Sequence, residues 1–195
     1  GMGVEVTLAY RGAQILRGFD DEARGMVAEA MQARGITILL GTSIAAMGPT
    51  SSEFDLPAGE VAPATDATAG PVKVKLTNGT QRLFDSVLFA TGRRPNTAGL
   101  GLGPLGIALG RRGEIVVDSY SQTAVPSIHA IGDVTGRVAL TPVAIREGMA
   151  FADTVFRGVP TPVDHDLIPM AVFTQPELGT IGLTEEAASL LGPIE

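Results

Sequence analysis

Cysteine is absent from this chain of 195 residues, which excludes disulfide bonds, thiolate nucleophiles and cysteine-based zinc sites within it. Without cysteine, the sequence leaves the redox compartment undetermined. Lysine is scarce as well, because only Lys73 and Lys75 are lysines among the 14 basic residues. The remaining basic residues are arginines, whose planar guanidinium groups favour bidentate recognition of anions, although genome composition explains such a bias equally well.

Long apolar runs are also missing. The most apolar stretch, residues 36–47, is interrupted by threonine, serine and glycine, and no run reaches the roughly 18 apolar residues of a membrane helix. No basic and apolar leader opens the chain, so we expect a cytoplasmic protein that does not enter a membrane. The 14 basic and 21 acidic residues give a net charge of −7, which argues against nucleic acid as a partner.

The composition is otherwise ordinary for a folded protein, with 45 % hydrophobic and 18 % charged residues. That content is enough for the core of one large domain or of two modest ones. It argues against a disordered or fibrous chain.

The beginning of the chain predicts a βαβ unit. Residues 4–10 alternate apolar and polar side chains as a half-buried strand does. Either Asp20 or Asp21 can cap a following helix whose apolar residues share one face, and Gly35 suits the end of that helix. Residues 36–40 then have the pattern of a buried strand, so we expect two parallel strands joined by a helix.

The rest of the chain predicts short elements and one long loop. Glycine and proline punctuate residues 48–71, which we interpret as a long mobile surface loop. The pair Asn78-Gly79 supplies the backbone freedom of a two-residue hairpin turn after the alternating strand 72–76. The other predicted elements are strands 86–90, 114–118, 127–131, 170–174 and 180–183, helices 141–157 and 184–191, and an extended connector at 159–169.

Four motifs invite a chemical interpretation that their context does not support. Residues 101–106 match the G-x-G-x-x-G pattern by letters, but no predicted strand precedes them and Pro104 removes an N–H that would face a phosphate. The motif at 78–80 matches a glycosylation acceptor, which the hairpin turn explains fully. We expect His129 to be a packed structural histidine and His165 to lie in a solvated connector rather than to bind a metal.

Two arginines flank the turn that follows the first predicted strand. In a nucleotide-binding fold the end of the second strand faces the adenosine ribose, and enzymes that use NAD place an acidic residue there. Here the strand ends in Tyr10, and Arg11 and Arg17 lie on either side of the turn. Two guanidinium groups suit a ribose 2′-phosphate, which carries close to two negative charges. The alternative, and the commoner case when such a pair is taken alone, is that both arginines are simply solvated.

A second group of residues lies at the predicted carboxyl end of another strand. The strand 127–131 leads into Gly132 and Asp133, and a carboxylate at this edge of a sheet can accept hydrogen bonds from a sugar-like hydroxyl chain. Farther along, Thr141 can cap a helix that has Pro142 in its first turn. The free N–H groups at that helix start would stabilise negative charge on a bound ring. The plain alternative is a turn aspartate and a capped helix.

Six blocks occur in unbroken order along the chain: residues 9–11, 16–20, 90–96, 130–134, 140–144 and 173–185. Together they resemble the pyridine-nucleotide disulfide oxidoreductases, most closely the glutathione reductase branch of that family. The resemblance implies an α/β fold of Rossmann-like FAD- and NAD(P)-binding sheets, incomplete in this chain, plus the start of an α+β dimerisation domain. The implied domains are the end of the NADPH-binding domain (1–93), the end of the FAD-binding domain (94–164) and the start of the dimerisation domain (165–195).

The resemblance implies seven cofactor-binding residues, which are Arg11, Arg17, Gly92, Asp133, Ala139, Thr141 and Ala171. Arg11 and Arg17 would hold the 2′-phosphate of NADPH, and Gly92 would let the backbone approach that cofactor. Ala139 and Ala171 would lie near the nicotinamide through backbone contacts.

For FAD, the resemblance implies that Asp133 binds the ribityl chain and that Thr141 places its backbone N–H near the pyrimidine oxygen of the flavin. Hydride arriving from NADPH builds negative charge on the flavin, and the helix start at Thr141 would stabilise that charge. The implied function is NADPH-dependent reduction of a disulfide, with glutathione disulfide expected as the substrate and a homodimer as the parent enzyme. The electrons would pass to a cysteine pair outside this chain.

Several parts of the family pattern have no counterpart here, namely the FAD-binding G-x-G-x-x-G, the redox cysteine pair, the NADPH-binding glycine-rich turn and the C-terminal histidine segment. We therefore expect an internal segment of a longer enzyme that is marginally folded, aggregates and reduces nothing by itself. Two alternatives stay open. One is another member of the fold, of the lipoamide dehydrogenase or mercuric reductase type, although Arg11 and Arg17 speak against an NAD-linked member. The other is a non-catalytic nucleotide-binding module.

Overall fold

The computed structural model describes residues 2–53 and 70–193, which form two compact units. The first unit combines the residues up to 89 with those from 169 onward, and the second comprises residues 90–168. Within the described ranges, every helix is too short or too polar to cross a lipid bilayer.

The predicted βαβ unit is confirmed in the first unit. Strands β1 (Thr7–Tyr10) and β2 (Thr37–Leu40) pair in parallel along their whole length, and helix α1 (Asp21–Ala33) connects them. The first strand is shorter than predicted, because residues 4–6 are exposed and lie outside the paired strand, although Val6 O still accepts from Thr37 N of β2 at 3.0 Å.

Local sequence signals account for both ends of α1. Asp20 caps the helix, since its Oδ1 accepts from the backbone N–H groups of Glu22 at 3.0 Å and Ala23 at 3.5 Å. Beyond the other end, Gly35 adopts a φ of +88°, as the predicted glycine stop requires. Val27 is the buried residue of the helix, which places its apolar face against the sheet side of the unit.

A three-stranded antiparallel sheet follows, formed by β3 (Ile44–Pro49), β4 (Val72–Leu76) and β5 (Gln81–Phe84) in the order β3-β4-β5. Strands β4 and β5 form the predicted hairpin, and Gly79 in its turn has a φ of +87°. The turn has three residues, 77–79, rather than the predicted two, because Leu76 N donates to Thr80 O at 2.9 Å. The interpretation of residues 48–71 as loop is wrong at its start, because residues 48–49 end the edge strand β3, where proline is tolerated. Residues 54–69 of that predicted loop lie outside the described residues.

The end of the chain contributes a small hairpin and a short helix to the first unit. Strands β6 (Met170–Val172) and β7 (Leu178–Thr180) pair antiparallel, and helix α3 (Glu185–Ser189) follows. Thr184 caps α3 by accepting from the N–H of Ala187 at 3.2 Å. The predicted order of strand, strand and helix is confirmed, with β7 beginning two residues earlier than expected.

The second unit is built around one helix, α2 (Thr141–Phe156), and a small core. Residues 103–105 form a single 3-10 turn rather than a strand-to-helix phosphate loop, which confirms that the G-x-G-x-x-G letters carry no dinucleotide turn. Residues 159–169 form no helix or strand, as predicted for a connector. The core consists of buried Ile107, Ile115 and Ala130, surrounded by Leu102, Val117, Val125, Ile128 and Val134.

Three predicted strands do not form. Residues 86–90 pair with no strand in the described part of the chain, and Leu88 is 91 % exposed. Residues 114–118 and 127–131 form no continuous ladder; within them Ile115 bridges Leu109 and His129 bridges Gln122 as isolated pairs. The prediction at 86–90 is wrong because no described strand lies beside it, and those at 114–118 and 127–131 are wrong because their neighbours complete only part of the backbone hydrogen bonds. The fold is therefore a mixed α/β chain in which the described parallel sheet has two strands.

Candidate cofactor-binding sites

The loop between β1 and α1, residues 11–19, carries both arginines of the predicted phosphate site. Its start is tied to the residues after β2, because Thr42 N donates to Tyr10 O and Gly41 N donates to Gly12 O, each at 3.0 Å. Near its other end, Phe19 N donates to Leu16 O at 3.1 Å. The loop is thus anchored to the parallel strands at one end and closed by a turn at the other.

Two residues of this loop have unusual surroundings. Leu16 adopts a φ of +55°, a left-handed conformation that a residue other than glycine rarely takes. Gly12 lies beneath the ring of Tyr10, so that a Cβ at this position would come within 2.7 Å of Tyr10 Cε1. The loop backbone is therefore constrained at both positions, by the φ of Leu16 and by the close approach of the Tyr10 ring to Gly12.

Helix α1 holds the middle of the loop through one side chain. Arg24 Nε donates to Ile15 O at 2.6 Å and Arg24 Nη2 donates to Gln14 O at 2.9 Å, while Nη1 pairs with the carboxylate of Asp21. The side chain of Gln14 donates in return to Asp21 O at 2.8 Å. These bonds tie two consecutive loop carbonyls to the first turn of the helix.

Arg11 and Arg17 contrast with Arg24. Both are exposed, and neither side chain makes a hydrogen bond or an ion pair with any residue that the structure describes. Two positive charges on one anchored loop, without an acidic partner, give it an anion-binding character. Both predicted residues lie on the loop between β1 and α1, and Ala171 lies elsewhere in the same unit, exposed on β6.

The aspartate that caps α1 also binds the end of the chain. Asp20 Oδ2 accepts from the backbone N–H of Glu185 at 3.0 Å, at the start of α3. This hydrogen bond lowers the pKa of Asp20 below its usual value; desolvation opposes the shift, and the N–H groups of Ala23 and Glu22 add to it. The carboxylate of Asp20 therefore accepts hydrogen bonds from the first residues of both α1 and α3.

Two clefts of about 400 and 260 Å³ adjoin Asp20 within the first unit. They are lined by the first turns of α1 together with residues of β7 and α3. None of the seven predicted cofactor-binding residues lines either cleft. The clefts therefore do not coincide with the sites that the sequence indicates.

In the second unit, Asp133 lies in a 3-10 turn, residues 132–135, and its side chain is 43 % exposed. Arg93 Nε lies 3.2 Å from Asp133 Oδ2 in an exposed ion pair, and Gly92, just before Arg93, is exposed with a φ of +118°. The carboxylate is open to solvent, as a group that accepts from a ligand hydroxyl must be.

A buried carboxylate on α2 is hydrogen-bonded to this turn. Glu147 on α2 has a side chain that is only 1 % exposed, and it accepts the backbone N–H of Gly132. Its Oε1 lies 3.0 Å from Arg137 Nη2 and 2.7 Å from His165 Nε2. Arg137 also donates to Thr135 Oγ1 at 3.2 Å. The turn is thus fixed to the helix by one acidic residue with several partners.

The two histidines can now be assigned. His165 was expected in a solvated connector, and that expectation is wrong, because its ring is mostly buried against Glu147. The acidic partner lies 18 residues away in sequence, where local patterns carry no signal. His129 packs edge-on against Phe151 with ring centroids 5.0 Å apart, as expected for a structural histidine.

The start of α2 has the predicted position but a different cap. Leu140 is the N-cap residue and no side chain caps the helix, whereas Thr141 is its first helical residue. The prediction that Thr141 caps the helix is therefore wrong, and the expected Pro142 in the first turn is confirmed. With no side-chain cap, the first N–H groups keep their capacity to bind an anion or a carbonyl oxygen. Ala139, two residues earlier, is exposed.

The comparison with known protein families decides the membership of this chain. The sequence profile of the pyridine nucleotide-disulphide oxidoreductases matches residues 1–148. This chain belongs to that family.

Individual relatives agree with the family assignment. The chain is 43 % identical over 188 residues to the glutathione reductase of Burkholderia cepacia and 47 % identical over 189 residues to the chloroplastic/mitochondrial glutathione reductase of Pisum sativum. It is 40 % identical to the trypanothione reductase of Trypanosoma congolense. These alignments cover 96–97 % of the chain and 38 %, 31 % and 35 % of the respective relatives, so the chain spans about a third of their length.

A solved structure gives the same picture. The Cu(II) complex of the HOCl-induced flavoprotein disulfide reductase RclA from Escherichia coli superposes with a TM-score of 0.81 at 26 % sequence identity. The match covers 98 % of this chain and 40 % of RclA. The chain is therefore a mixed α/β segment with the fold of flavoprotein disulfide reductases, homologous to glutathione and trypanothione reductases.

Within this family member, sequence patterns missed the residues that support the sites. Arg24 and Glu147 both lie on correctly predicted helices, yet neither was singled out. The signal that could have found them is a charged residue on the predicted apolar face of a helix. Such a group needs hydrogen-bond or ion-pair partners when the face is buried. The partners themselves are backbone groups and distant side chains, which a one-dimensional pattern does not show.

Proposed function

We propose that this chain is part of an NADPH-dependent FAD flavoenzyme that reduces a disulfide, with glutathione disulfide as the substrate. The glutathione reductases among its relatives support the substrate. The proposed domains are 1–93 for NADPH, 94–164 for FAD and 165–195 for dimerisation, in a homodimeric cytoplasmic enzyme. The cysteine pair that receives the electrons belongs to the rest of that enzyme.

The observation that carries the choice of NADPH is the loop at 11–19. Arg11 and Arg17 are exposed there without a protein partner in the described ranges, directly after a parallel strand that ends in Tyr10. An NAD-linked site needs an acidic acceptor at this place for the ribose hydroxyls. Two guanidinium groups instead match the charge and the acceptor oxygens of a 2′-phosphate.

For FAD, the second unit offers a compatible set of groups. Asp133 presents an open carboxylate for the ribityl hydroxyls, and Thr141 begins an uncapped helix whose N–H groups favour a carbonyl oxygen or negative charge. We assign Gly92 and Ala139 in this unit, and Ala171 in the other, to backbone contacts with the nicotinamide nucleotide. When bound, FAD supplies the two-electron chemistry that links NADPH to the disulfide.

The test uses the full-length enzyme with Arg11→Ala and Arg17→Ala. Each substitution is expected to raise the KM for NADPH about tenfold to a hundredfold, as for loss of a hydrogen bond to a charged group, and to leave the KM for NADH unchanged. Arg82→Ala is the matched control, because Arg82 is an exposed arginine on β5 without a described partner. Equal use of NADH and NADPH by the unmodified enzyme would dismiss the 2′-phosphate assignment.

The substrate requires a separate measurement. Trypanothione reductases are also relatives, at 40 % identity, so turnover is compared with glutathione disulfide and trypanothione disulfide as sole acceptors. Preference for glutathione disulfide is the expected result. If the enzyme reduces neither disulfide but still oxidises NADPH with an artificial acceptor, the result would favour an enzyme of the lipoamide dehydrogenase or mercuric reductase type.

A further inference from the structure

Arg24 is the charged side chain that ties helix α1 to the loop at residues 11–19. Its side chain is 15 % exposed, and three of its nitrogen atoms already have acceptors: Ile15 O, Gln14 O and the carboxylate of Asp21. A guanidinium group so engaged has little capacity left for a ligand. Arg24 therefore acts on the loop rather than on whatever binds to it.

Arg24 binds the backbone of the residues that lead into Leu16 and Arg17. Gln14 and Ile15 immediately precede Leu16, which has a φ of +55°, and Leu16 immediately precedes Arg17. A rigid fork that grips two consecutive carbonyls fixes the direction of the chain entering this unusual residue. Buried Ile15 adds an apolar anchor at the same place. The position of the Arg17 backbone follows from these contacts.

We propose that Arg24 is a positioning residue for coenzyme selectivity: it holds the loop so that Arg17 presents its guanidinium group to the 2′-phosphate without Arg24 touching the ligand. This inference rests on the proposed role of Arg17 in binding NADPH. A loop that is already ordered loses less conformational entropy when the phosphate binds. Arg24 thus contributes to the affinity for the phosphorylated ribose and not to the affinity for adenosine in general.

The test is a double-mutant cycle in the full-length protein, with Arg17→Ala, Arg24→Gln and the combination. Binding of 2′,5′-ADP and of 5′-AMP is measured by calorimetry, because the two probes differ only in the 2′-phosphate. Arg24→Gln is expected to weaken 2′,5′-ADP about tenfold and to leave 5′-AMP unchanged. In the Arg17→Ala background, Arg24→Gln is expected to cause no further loss.

Each other outcome has a distinct meaning. If Arg17→Ala weakens 2′,5′-ADP but Arg24→Gln does not, or if the two losses add, the positioning role is overturned and the proposed phosphate site stands. If Arg17→Ala has no effect, the phosphate site and the route through Arg17 are both overturned. Equal weakening of both probes by Arg24→Gln would show general loosening and overturn selectivity.

Two further variants guard against a folding defect. Arg24→Lys keeps a positive charge beside Asp21 but lacks the fork that spans Gln14 O and Ile15 O. It is expected to fold and to lose an intermediate part of the 2′,5′-ADP affinity, and full affinity in this variant would count against the proposal. Arg82→Gln is the control for the loss of an arginine charge in the same unit.

Discussion

The loop at residues 11–19 and the turn at residues 132–135 are supported by the same kind of contact with opposite signs of charge. In the first unit, Arg24 on a helix donates to backbone carbonyls of the loop. In the second, Glu147 on a helix accepts from a backbone N–H of the turn. The difference lies in burial and partners, since Glu147 is nearly inaccessible and has two cationic or polar neighbours, whereas Arg24 is partly exposed.

That difference predicts how each region fails. Loss of the buried carboxylate of Glu147 leaves Arg137 with an uncompensated charge and the N–H of Gly132 without an acceptor. Both effects lower the stability of the second unit as a whole. Loss of Arg24 removes the donors to two loop carbonyls but leaves no buried charge behind, because its partner Asp21 is exposed. The first unit is expected to lose order in one loop, and the second to lose stability.

The largest effect is expected from Glu147→Ala. It should lower the free energy of unfolding by about 3–5 kcal/mol, the range seen when one partner of a buried ion pair is removed. Urea denaturation of the full-length protein measures this change. Glu147→Gln keeps the size of the side chain and an acceptor for Gly132, so it should cost less. A loss below that of an exposed ion pair would contradict the role of Glu147 as the support of the turn.

A smaller effect on stability is expected from Arg24→Gln. About 1–2 kcal/mol is the expected loss, because the hydrogen bonds from Arg24 are charge-assisted but partly solvated. Hydrogen exchange of the amides at residues 14–17 should accelerate more than that of the helix α2 amides. Uniform acceleration across both units would contradict a local role.

The carboxylate at the end of the loop adds a dependence on pH. The hydrogen bond from Glu185 N–H holds the pKa of Asp20 below its usual value near 3.8. Because the folded-state pKa is the lower one, the stabilisation by Asp20 is complete above about pH 3.8 and is lost as the pH falls through the folded-state pKa. Urea midpoints of the wild type and Asp20→Asn between pH 6 and 2 should converge at the acid end. Parallel curves would contradict this tie.

The smallest effect is expected from Asp153→Ala, which removes the ion pair between Asp153 on α2 and Arg157, the residue that follows the helix, at 2.7 Å. Pairs at this spacing on a helix surface contribute about 0.3–0.5 kcal/mol. The same denaturation experiment provides the measurement, and the variant calibrates the comparison with Glu147 on the same helix. A loss similar to that of Glu147→Ala would mean that burial does not decide the difference.

The elements predicted correctly are those whose signals are local. The cap at Asp20, the turn at Asn78-Gly79 and Pro142 in the first turn of α2 each act within a few residues. The strand predicted at 86–90 is wrong because a strand needs a neighbour, which local sequence does not reveal. The cap predicted at Thr141 is wrong because Leu140 already takes the extended conformation of an N-cap residue.

The candidate sites divide in the same way. Arg11 and Arg17 were identified from the end of a strand, which is a local feature, and both lie on the predicted loop. Glu147 reaches partners 15 and 18 residues away in sequence, and Arg24 binds backbone carbonyls that every residue type possesses. Such contacts follow from packing in three dimensions, so the supporting residues of each site were not accessible from sequence patterns.

The ring of Tyr10 above Gly12 restricts which side chains fit at position 12 of the loop. An acceptor for the ribose hydroxyls could be introduced at position 12 only if the ring moved, since a Cβ there would meet Tyr10 Cε1 at 2.7 Å. Any substitution of Gly12 therefore depends on Tyr10, whose side chain must rotate or be replaced by a smaller one before a Cβ fits at position 12.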